Sequence, residues 1–134
     1  MEAGGDLSLL REAVGKEDDA ELALSVVFRT LAEVPSDRHD EWVAVAPEPV
    51  RARAQRRSDE TVLLRLAESG ELESGRVDPE AWTDWLQRRM AATSFDRAVL
   101  RELAAKGRTR KVRRLAERRC REGNEGELRD GRRD

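Results

Sequence analysis

The sequence predicts an all-α protein of seven or eight short helices, arranged as a short array of stacked helix pairs, an α-solenoid. Three observations predict it. The stretches 59–70 (DETVLLRLAESG) and 96–107 (DRAVLRELAAKG) share the pattern Asp-x-x-Val-Leu-x-x-Leu-Ala-x-x-Gly, and their first residues lie 37 positions apart (59 to 96). A fixed period of this size marks a helical array. Apolar residues elsewhere recur at helical intervals, as in Leu7, Leu10 and Val14 or Val112, Leu115 and Ala116. β-branched and aromatic residues are sparse, with three Trp, two Phe and no Tyr, which disfavours sheets.

The shared pattern reads as one capped amphipathic helix of about three turns. The leading Asp accepts from free backbone N–H groups. The Val-Leu-x-x-Leu-Ala residues form one apolar face. The closing Gly takes a left-handed conformation that other residues adopt only with strain.

In chain order, a first helix is expected over 6–14 and a second over 19–34. The second is the most apolar in the chain, with Leu22, Leu24, Val27, Phe28 and Leu31 spread around its circumference. It is therefore expected at the centre of the core, with Phe28 prominent. Ser36 reads as the N-cap of a short helix ending near Val45, with Trp42 facing inward. Pro47 and Pro49 stop that helix and open another over 48–57. The 59–70 helix follows. Asp78-Pro79-Glu80 reads as the start of a helix over 78–92, with Trp82, Trp85, Leu86 and Met90 as its stripe. The 96–107 helix and a last one over 109–121 complete the set. Residues 1–121 form a single helical domain on this reading. Residues 122–134, charged and broken by Gly, are expected to be a frayed or disordered tail.

A short apolar-Arg helix followed by a longer Val-Leu-x-x-Leu-Ala helix recurs in PVRARAQRRSDETVLLRLAESG and in LQRRMAATSFDRAVLRELAAKGRTRKVRRLAERR. This pattern resembles HEAT-like repeats and the variant leucine-rich (LRV-type) repeats of bacteria, over about residues 48–120 and less fully over 7–34. The resemblance implies stacked helix pairs and no particular chemistry.

Bulk properties narrow the function. No apolar run approaches the roughly 18 residues of a membrane helix, and the acidic start MEAGGDLS lacks the order of a signal peptide. Cys120 is the single cysteine and has no internal partner for a disulfide. A reduced, cytoplasmic protein is expected. The net charge of −2 hides an asymmetry: residues 97–134 carry 14 Lys+Arg against 7 Asp+Glu, while residues 1–96 carry 12 against 21. Opposite signs at opposite ends suggest an interaction surface.

The sharpest candidate site is the last helix. Nine Lys+Arg and one acid, Glu117, fall between Lys106 and Arg121. With Val112 at the centre of the buried face, Arg110, Arg114 and Arg121 point away from it, Arg113 and Arg118 flank them, and Lys111 belongs to the same run. Arg119 lies nearer the apolar face and must snorkel. Such a stripe suits phosphate contacts or bidentate recognition of an acidic protein. That protein is a partner or the acidic half of a second copy. A solvated terminal face is the plain alternative. No aromatic interleaves the stripe, which argues against base stacking. Elsewhere, Glu17, Asp18, Asp19 and Glu21 read as a capped helix start, and His39 as part of an exposed one. A single His excludes metal sites needing several His ligands. No phosphate loop or nucleophile elbow appears.

The expected function is a non-catalytic protein–protein interaction module or scaffold, without metal, cofactor or catalytic residues and without a membrane partner. Its candidate binding residues are Arg110, Lys111, Arg113, Arg114, Arg118 and Arg121, and its partner is an acidic protein or a second copy in a homodimer. The alternative is nucleic-acid binding through the same arginines.

Overall fold

The computed structural model describes the backbone of residues 3–133 and the side chains of residues 7–122. Among the described residues there are seven α-helices and no strand: α1 (Ala3–Lys16), α2 (Ala20–Glu33), α3 (His39–Val45), α4 (Glu48–Glu68), α5 (Asp84–Thr93), α6 (Arg97–Lys106) and α7 (Arg110–Arg133). Single 3₁₀ turns occupy Ser36–Arg38, Ser74–Arg76 and Pro79–Ala81. The all-α class is as the sequence predicts. Among the described residues no helix is long and apolar enough to cross a membrane. The backbone packs as two compact units, Met1–Val62 and Leu63–Asp134, and the boundary falls inside α4.

In the first unit, α2 begins where the sequence places it. The Asp19 carboxylate accepts from the backbone N–H of Glu21 (3.1 Å) and Leu22 (3.2 Å), satisfying two of the free donors at a helix start. Val34 turns extended ahead of Pro35, which ends the helix. Val27, Leu31, Trp42 and Ala46 are fully enclosed and centre the core, with Leu24, Val50 and Ala54 around them. Two expectations are corrected. Leu22 is 52% exposed, because α2 is covered on one side only. Phe28 is half-buried at the margin of the core, with the Arg57 guanidinium 3.9 Å over its ring. A 3₁₀ turn over Ser36–Arg38 leads from Pro35 into α3.

The largest correction concerns 48–70. Two helices were expected, with Asp59 capping the second, yet α4 runs unbroken from Glu48 to Glu68. Neither Pro nor Gly interrupts the chain between Val50 and Ser69, and extending a helix is far easier than nucleating a new one. Asp59 accepts from Gln55 Nε2 (2.9 Å) as an exposed pair one turn apart and caps nothing. The closing glycine is as read: Gly70 has φ +76°.

The second unit has a core of Leu64, Ala67, Trp82, Leu86, Met90, Val99, Leu103, Val112 and Ala116. Asp78-Pro79-Glu80 begins only a 3₁₀ turn, after which Trp82 is extended and buried. The helix proper starts at Asp84, where the Thr83 hydroxyl accepts from Leu86 N–H (3.3 Å). The second patterned stretch does form a capped helix. Asp96 accepts from the N–H groups of Ala98 (2.9 Å) and Val99 (3.3 Å), and Gly107 closes α6. Gly107 has φ −54°, so left-handed backbone is not its reason. Space is: a Cβ there would lie 2.6 Å from Leu103 O and 2.8 Å from Val112 Cγ1, and the connection of three residues from α6 to α7 would have to open. Helix α7 continues past the expected limit at Arg121 to Arg133. The expected tail, 122–134, falls almost wholly outside the residues whose side chains are described.

Candidate functional site

Helix α7 is anchored at its start and along one face. Thr109 Oγ1 accepts from Val112 N–H (3.2 Å), Val112 and Ala116 are buried, and Leu115 and Cys120 pack partly against the core. The three-and-four spacing of those residues turns Arg110, Lys111, Arg114, Arg118 and Arg121 outward, and all five are exposed. Arg119 snorkels as anticipated, donating to Ala91 O (2.9 Å) with its guanidinium 5.4 Å from the Phe95 ring.

Arg113 departs from the expected site. It is half-buried and its Nη1 donates to Gly107 O (2.7 Å), closing the end of α6. It serves the α6–α7 joint. The rest of the run differs in pairing. Arg121 sits 3.4 Å from Glu117 and Arg118 3.9 Å from Glu122. Among the described residues, Arg110, Lys111 and Arg114 make no ion pair.

Helix α5 adds residues that sequence reasoning missed. Between α5 and α7 lies a groove of about 510 Å³ with an apolar floor of Ala92, Val112 and Leu115 and a cationic rim of Arg88, Lys111, Arg114 and Arg118. A second hollow of about 310 Å³ shares Arg88, Lys111 and Val112 with it and ends at Asp84 and Thr109. Together they make one track along the first half of α7. Arg88 and Ala92 are one turn apart on α5, opposite its buried face, and only the pairing of α5 with α7 reveals them. Two side chains hold α5 against the connection that leads into α7. Buried Gln87 donates to Pro79 O (2.7 Å) and accepts from Arg108 N–H (2.8 Å). Arg108 in turn reaches the Asp84 carboxylate and Trp82 O (2.8 Å).

The first unit contains a second polar cluster. His39, expected at an exposed helix start, is buried between α2 and α4. Its Nε2 lies 2.9 Å from Leu31 O and its Nδ1 3.0 Å from Ser58 Oγ. A carbonyl only accepts, so Nε2 carries hydrogen, and in the neutral ring Nδ1 accepts from the Ser58 hydroxyl. A Ser–His pair could be nucleophile and base. Here both side chains are sealed from solvent, and the imidazole ties α3 to Leu31 of α2 and Ser58 of α4. Its role is structural, and sequence spacing carried no signal for it.

In the first unit several cations are paired with neighbouring carboxylates. Glu41 receives Arg38 on one carboxylate oxygen (2.7 Å) and Arg11 on the other (2.9 Å). The hydrogen bond from Arg38 and the field of Arg11 hold its carboxyl below the ordinary value of 4.5. Glu21 pairs with Arg53 (2.8 Å) and raises the guanidinium's pKa. Among the described residues no three His, Cys, Asp or Glu side chains converge as a metal site would require. Comparison with family models, curated proteins and solved structures finds no match to the chain.

Proposed function

We propose that this chain is a non-catalytic protein–protein interaction module whose contact surface is the α5–α7 face. The single observation that carries the reading is the α5–α7 groove itself. Its floor is apolar, and Arg88, Lys111 and Arg114 on its rim take no ion pair among the described residues. A cationic rim around an apolar centre suits a protein surface, whose binding energy comes mainly from buried apolar anchors and whose rim charges steer approach. HEAT-like stacking of helix pairs stays part of the proposal. Its support is that Leu64 and Ala67 share one core with Val99, Leu100 and Leu103 of α6. The uncapped Asp59 counts against it.

The alternative is nucleic-acid binding, with Arg110, Lys111, Arg114, Arg118 and Arg121 contacting phosphates. The apolar floor contributes nothing to that role. Two experiments separate the readings. Affinity capture with the wild type, Arg114→Glu and Ala92→Glu is expected to retain a protein that both variants lose. A salt titration with random duplex DNA is expected to show no binding at low salt. A steep salt dependence, abolished by Arg110→Glu with Arg114→Glu, would establish the alternative instead.

A further inference from the structure

The geometry points to an acidic amphipathic helix of a partner protein as the occupant of the α5–α7 groove, an inference that rests on reading this face as a protein-interaction surface. The track runs beside α7 from Thr109 to Arg118, about 13 Å at ~1.5 Å per residue. That is room for roughly two and a half helical turns, enough for apolar anchors at i, i+3 or i+4, and i+7. Its walls are two helices whose backbone groups bond within themselves, so the groove offers no sheet edge to an extended peptide. A helix brings its own backbone bonds satisfied and needs only side-chain contacts.

Charge selects the kind of helix. Arg88 stands on the α5 side of the floor and Lys111 and Arg114 on the α7 side, so carboxylates flanking the ligand's apolar stripe meet cations on both walls. A basic or neutral amphipathic helix would leave them unpaired. A long phosphate polymer fits less well, because it would leave the apolar floor of Ala92, Val112 and Leu115 uncovered.

The probe is a synthetic Leu/Glu peptide of about 18 residues, five turns of helix, with Leu on one face and Glu beside it. Its control is a scrambled peptide of the same composition, with binding read by fluorescence anisotropy on the full chain. The amphipathic peptide is expected to bind at least tenfold more tightly than the scramble. Ala92→Glu and Arg114→Glu should each weaken it roughly tenfold, about one unit in log Kd. Both positions are exposed, so neither substitution threatens the fold. Arg29→Glu, an exposed cation of the first unit, should change nothing. Equal binding of amphipathic and scrambled peptides would mean charge alone attracts the ligand, overturning the helix while leaving the interaction surface intact. A captured protein that Arg114→Glu releases but excess peptide does not displace would likewise overturn the helix and keep the surface. Self-association abolished by Ala92→Glu, with no peptide binding, would assign the groove to a second copy. Failure of both peptides together with failure to capture any protein would sink the interaction reading itself.

Discussion

The two units solve one structural problem alike and differ in where their unpaired cations lie. Each uses a buried polar side chain to tie distant groups together. In the first, His39 serves Leu31 O and Ser58; in the second, Gln87 serves Pro79 O and Arg108 N–H. The first unit, with 8 basic and 14 acidic residues, pairs Arg11, Lys16, Arg38 and Arg53 with carboxylates. The second, with 18 basic and 14 acidic residues, leaves Arg88, Lys111 and Arg114 unpaired around an apolar groove. Cations spent on neighbours serve the fold; cations left open beside apolar surface are available to a ligand.

The strongest way to break this comparison is to hollow out one core. Trp42→Ala removes the largest enclosed side chain of the first unit and should cost about 3–5 kcal/mol. Hydrogen exchange should show protection lost first in α2 and α3 while α6 and α7 keep theirs; uniform loss would show that the units unfold as one. Gly107→Val comes next. Its Cβ would collide with Leu103 O and Val112, and denaturant titration should show a loss of about 1–3 kcal/mol or more.

The parallel between the buried polar groups is sharpened by His39→Ala and Gln87→Ala. Each removes two buried hydrogen bonds and should cost about 1–3 kcal/mol. A change below about 0.5 kcal/mol in either, the range of surface substitutions, would remove that residue from the parallel. The contrast in charge predicts a smaller effect. Replacing Arg88, Lys111 and Arg114 together by Gln should leave stability within about 0.5 kcal/mol, because no internal partner is lost. A larger loss would place them in the fold rather than at a binding face.

The smallest effect is at Glu41. A carboxyl held below its ordinary value stabilises the folded state above that value and ceases to do so as acid protonates it in the native protein. Glu41→Gln should therefore be slightly less stable than wild type at neutral pH, and the gap should close below about pH 4. A gap independent of pH would show that the ion pairs with Arg11 and Arg38 contribute nothing.

Much of this was legible in the residues. The caps at Asp19 and Asp96, the stop at Gly70, the inward Trp42 and the outward Arg110, Arg114, Arg118 and Arg121 follow from local rules acting within a few residues. Three readings failed. Asp59 looks like Asp96 locally, but a helix already running through Ser58 gives it no free N–H groups to cap. Arg113 and Arg114 are adjacent and chemically identical; only the nearness of Gly107 O draws one inward. His39 carries no mark of burial, because its partners lie 8 and 19 positions away in the chain.

Sequence alone determined the helical class, most helix ends and the sign of the charge on α7, since capping, periodicity and ionisation depend on near neighbours in the chain. Tertiary packing decided that His39 is buried, that Arg88 joins the arginines of α7, and that α5 and α7 enclose an apolar track between them. Those outcomes turn on groups brought together across tens of residues, and no rule of spacing specifies such meetings.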